Sequence, residues 1–145
     1  MTTFLRSLFA AASLVACLPA RGDVITDWNA TALNVVKSGE GNPANALRAL
    51  ADVHIAIFEA MNFIEGRYVP RFAVKPPAPI AASSEAAAAA AAHYVLVQLY
   101  PGQAPLLNAA LERSLAQIPE GDKKAGGKMT GKAIGANVYA IRAAE

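Results

Sequence analysis

The chain has a single cysteine among its 145 residues, Cys17, and that residue lies inside an apolar leader. If the leader is removed after Gly22, no thiol remains, which excludes disulfides, thiolate metal sites and cysteine nucleophiles. Charge is also scarce, with Asp, Glu, Lys and Arg at 17% of residues. Residues 1–22 contain Arg6 and Arg21 and no acid, so 13 basic residues fall to 11 beside 11 acids and the overall charge of +2 disappears. A balanced chain lacks the clustered cations that nucleic-acid binding requires. Long apolar runs are missing too. The segment Ser7 to Ala16 is shorter than the roughly 20 residues needed to cross a bilayer as a helix.

The leader itself reads as an export signal. Met1 and Arg6 form a short positive start, Ser7 to Ala16 an apolar centre, and Ala20-Arg21-Gly22 a small-x-small cleavage site. This places the protein in the periplasm or outside the cell, with no transmembrane helix in the mature form. A second reading stays open: Leu14-Val15-Ala16-Cys17 resembles a lipobox, and cleavage there would leave Cys17 as a lipid anchor.

The mature chain, residues 23–145, reads as all-α. Apolar residues recur at helical spacing, and Pro and Gly fall between the periodic stretches. Thr26 to Lys37 places Trp28, Ala32, Val35 and Val36 near one face. Asn42 and Pro43 then supply a cap and a first helical residue for a second helix reaching about Ile64. On that helix Leu47, Leu50, His54, Phe58 and Met61 form one stripe with Val53, Ile57, Ala60 and Ile64 beside it. Arg48, Asp52 and Glu59 fall on the other side and read as solvated.

Gly66 ends the second helix, and residues 67–82, with Pro70, Pro76, Pro77 and Pro79, read as an extended strap over the bundle. Ser83 or Ser84 caps a third helix built on the run Ala86 to Ala92, where small side chains allow close backbone approach. After Pro101-Gly102 a fourth helix carries Leu107, Leu111, Leu115 and Ile118. A last one, Lys123 to Glu145 with Asp122 as its cap, contains Gly127, Gly131 and Gly135 on one face. Each interior glycine costs about 1 kcal/mol relative to alanine, so tight packing against a neighbour is the expected compensation. Lys124, Lys128 and Lys132 read as a solvated face and exclude burial of this helix in lipid. The fold expected is an antiparallel helical bundle, whole or partial, of about five helices.

Chemistry is sparse. His54 and His93 read as core histidines held by hydrogen bonds rather than as ligands, and neither Glu-x-x-His nor His-Glu-x-x-His occurs. Ser38-Gly39-Glu40-Gly41 lacks the lysine of a phosphate loop, and no Gly-x-Ser-x-Gly elbow is present. Asp52 and Glu59, seven apart, read as solubilising charges rather than a glycosidase pair.

One set of short motifs carries more. Asp27-Trp28-Asn29, His54-x-Ala56-x-Phe58-Glu59-Ala60-x-Asn62, Gly66-Arg67-Tyr68-x-Pro70, the alanine segment ending in His93, and Ile118-Pro119 span nearly the whole mature chain. In order and spacing this resembles the opening of vanadium-dependent haloperoxidases of the type-2 phosphatidic-acid phosphatase superfamily. The resemblance implies structural roles for Trp28, His54, Glu59, Asn62, Arg67, Tyr68 and His93. It also implies an oxyanion site built from Lys-x6-Arg-Pro, Pro-Ser-Gly-His and Ser-Arg-x5-His, none of which occurs in this sequence.

No catalytic, cofactor-binding or metal-binding residue therefore carries over, and vanadate is expected only in an intact relative. The expectation is a helical scaffold region from a truncated or split protein, inactive alone and completed by a separately encoded catalytic half. The alternative is a stand-alone exported interaction module that binds another protein through the face around Phe58 or the glycine groove near Gly131.

Overall fold

The structure is a computed structural model that describes residues 23–39, 42–72 and 81–145. The leader with Cys17 and the strap's Pro76, Pro77 and Pro79 lie outside the described residues. Five α-helices, α1 (Val24–Ser38), α2 (Pro43–Glu65), α3 (Ser84–Leu99), α4 (Ala104–Ala116) and α5 (Asp122–Ala143), pack as a bundle, with a 3-10 turn at Pro101–Gln103.

Local chemistry accounts for the ends. The Asp23 carboxylate accepts from Thr26 N at 2.8 Å, so α1 starts two residues before the periodicity alone indicates. That same N–H holds the Asp23 carboxyl below the ordinary carboxylate range. Asn42 Oδ1 caps α2 through Ala44 N, and Ser83 Oγ caps α3 through Ala86 N. Gly66 closes α2 at φ 63°, a left-handed conformation that glycine adopts without steric cost. Asp122 is not a cap, contrary to expectation. It is the first residue of α5, and Gly121 at φ 137° precedes it with no side-chain cap bond.

α3 occupies the centre. All of Ala86 to Ala92 are buried, together with Val95 and Leu96, so this helix is apolar on every side because every side is covered. Trp28, Ala32 and Val35 of α1 join the same core, as do Ala49, Val53, Ala56, Ile57 and Ala60 of α2, Leu107 of α4, and Ile134 and Val138 of α5.

The chain runs up and down, and α3 and α5, with α4 between them in sequence, run parallel. Cβ atoms added at Gly127, Gly131 and Gly135 would meet Ser83, Ala87 and Ala91 in turn, a constant offset that steps four residues on both helices. At Gly131 the added atom would collide with the carbonyl oxygen of Ala87, and at Gly135 it would lie 2.9 Å from that of Ala91. Ser83 N donates to Lys123 O at 2.9 Å and pins the two helix starts together. The expected tight packing is thus met inside the molecule. The glycine groove is filled by α3 and is not a free surface for another protein.

α2 departs most from expectation. Leu47 is 70% exposed, Phe58 is 40% exposed and His54 is also exposed, whereas Asp52 and Glu59, read as solvated, are 4% and 3% exposed. The small residues Ala49, Val53, Ala56 and Ala60 face the core with Ile57, and Leu50, Met61 and Ile64 pack partly against it. The physical reason is the neighbour. An alanine helix draws another helix in closely only where that helix is also thin, so the bulky Leu47 and Phe58 are turned outward.

Candidate functional site

Glu59 of α2 was expected in solvent, and together with Asn62 it binds the strap instead. Glu59 Oε1 accepts from Arg71 N at 2.7 Å and Phe72 N at 3.3 Å. Asn62 brackets Tyr68, its Nδ2 donating to Tyr68 O at 2.8 Å and its Oδ1 accepting from Tyr68 N at 2.7 Å. These buried groups satisfy backbone donors and acceptors that the extended segment cannot satisfy itself. The start of the strap therefore lies on α2, and Tyr68 stacks at a tilt against Phe58 with ring centroids 6.0 Å apart.

A consequence is measurable. Glu59→Ala removes the shared acceptor of two N–H groups and is expected to cost about 1–3 kcal/mol and to speed proteolysis between residues 66 and 72. Glu59→Gln retains a carbonyl oxygen and should lose less. Equal cleavage rates for parent, Gln and Ala variants in limited proteolysis would contradict this role.

Sequence reasoning missed a second buried centre altogether. Arg142 Nε of α5 donates to Asp52 Oδ1 at 2.6 Å, Arg48 lies 3.9 Å from the other oxygen, and Arg48 also reaches the Arg142 carbonyl. Arg142 further pairs with Glu145. Asp52 gave one usable signal: it shares a helix face with Ala49, Ala56 and Ala60, the small stripe that points inward.

The two histidines are held as hydrogen-bond partners of asparagines. His93, half-buried, sits 2.7 Å from Asn108 Oδ1 and edge-on to Trp28, with centroids 6.4 Å apart. The Trp28 indole N–H donates to Ser114 Oγ at 3.2 Å, so one residue links α1, α3 and α4. His54 is not a core residue: its Nε2 lies 3.0 Å from Asn29 Oδ1 on the surface between α2 and α1. Arg67 is exposed and pairs with Glu65 at 3.0 Å.

Several open recesses border these groups. A cleft of about 440 Å³ lies where α1 and α3 begin and α2 and α4 end, lined in part by Asp23, Asp27 and Glu85. A groove of about 270 Å³ runs along the outer face of α2, between Ile25, His54, Phe58, Met61 and Tyr68. The acids of the first repel an oxyanion, and the second is mainly apolar.

Four of the described cations are engaged in ion pairs. Arg48 and Arg142 are taken by Asp52, Arg67 by Glu65 and Lys124 by Glu120, and these pairs lie on separate parts of the fold. A multiply charged tetrahedral anion needs several cationic donors converging on one point. Among the described residues no group of three or more His, Cys, Asp or Glu is arranged to hold a metal ion. No described helix is long and apolar enough to cross a membrane. No family model, curated protein or solved structure matches the chain.

Proposed function

We propose that this exported chain is a non-catalytic helical scaffold of the vanadium haloperoxidase and type-2 phosphatidic-acid phosphatase type, dependent on a separately encoded anion-binding half for chemistry. What supports the reading is how its motif residues are used. Glu59 and Asn62 are consumed by the strap, and Trp28 and His93 by joints between helices. Such residues set the position of helices rather than act on a substrate. The second reading, a stand-alone interaction module, draws on the exposed aromatic groove beside Phe58 and Tyr68.

The test separates the two. The exported chain alone, given vanadate, peroxide and bromide, should halogenate no faster than buffer and should bind no stoichiometric vanadate by calorimetry. Co-expression with a neighbouring reading frame that encodes Pro-Ser-Gly-His and Ser-Arg-x5-His should yield peroxidase or phosphatase turnover that neither product has alone. Turnover by this chain alone that vanishes in His54→Ala would overturn the proposal. Failure of any such co-expressed half to bind would favour the interaction module.

A further inference from the structure

We draw no further inference here: the strongest candidate, the open cleft of about 440 Å³ where α1 and α3 begin and α2 and α4 end, rests on a cluster of acids of which Asp23 and Glu85 already accept from Thr26 N and Ser83 Oγ, and nothing in the structure shows what would occupy it.

Discussion

Gly131→Ala is expected to destabilise the bundle by about 2–3 kcal/mol, although alanine is the better helix former by about 1 kcal/mol. The added methyl would be driven into the carbonyl oxygen, carbonyl carbon and Cα of Ala87, all backbone atoms of a helix covered on every side. A flexible side chain could swing away, but α3 cannot move from α5 without opening voids against α1, α2 and α4. For a domain of this size the melting temperature should fall by roughly 10 °C. Gly102→Ala is the matched control, since a Cβ there meets nothing within 4 Å, and it should change stability by less than about 0.5 kcal/mol. Thermal and denaturant unfolding of the two variants beside the parent is sufficient. A Gly131→Ala protein as stable as the parent would mean that α3 and α5 do not approach as closely as described.

Asp52→Ala is expected to cost about 3 kcal/mol, because it strips the counter-charge from two guanidinium groups at once. Arg142 is only 18% exposed and donates to Asp52 at 2.6 Å, and Arg48 donates to the Arg142 carbonyl. With the carboxylate gone, Arg142 keeps only Glu145 beside it and must stay partly buried next to Arg48 or leave, freeing the last turns of α5. Arg48→Ala should cost less than about 1 kcal/mol, since Arg48 is 45% exposed and 3.9 Å from the acid. Asp52→Asn, which keeps an acceptor without the charge, should fall between the two. In a double-mutant cycle the Asp52 and Arg142 losses should be strongly non-additive. Equal losses for Asp52→Ala and Arg48→Ala would remove the case for a buried ionic joint between α2 and α5.

The candidate site was far less legible in the sequence than the helices that carry it. Caps and stops are local, so Asn42 with Pro43, Ser83, Gly66 and Pro101 mark helix ends to within a residue or two. Joints are not local. Glu59 meets residues 12 and 13 positions ahead of it, Trp28 meets Ser114, and Asp52 meets Arg142 across nearly the whole described chain. No periodicity reports such partners. The polarity rule even pointed the wrong way, since a carboxylate reads as solvated until the donor that satisfies it is placed beside it.

What the sequence by itself determined is the helical class, the order and ends of five helices, and the close approach of α5 that Gly127, Gly131 and Gly135 demand. Those features depend on residues within one or two turns of each other, where capping, backbone freedom and side-chain size act directly. Which face of α2 is buried was decided only in the tertiary structure. α2 is apolar over a wide arc, and the alanines of α3 select its thinner part, because backbones that pack closely leave no room for Leu47 or Phe58. That choice buries Asp52, Glu59 and Asn62 among their partners and turns Leu47 and Phe58 outward.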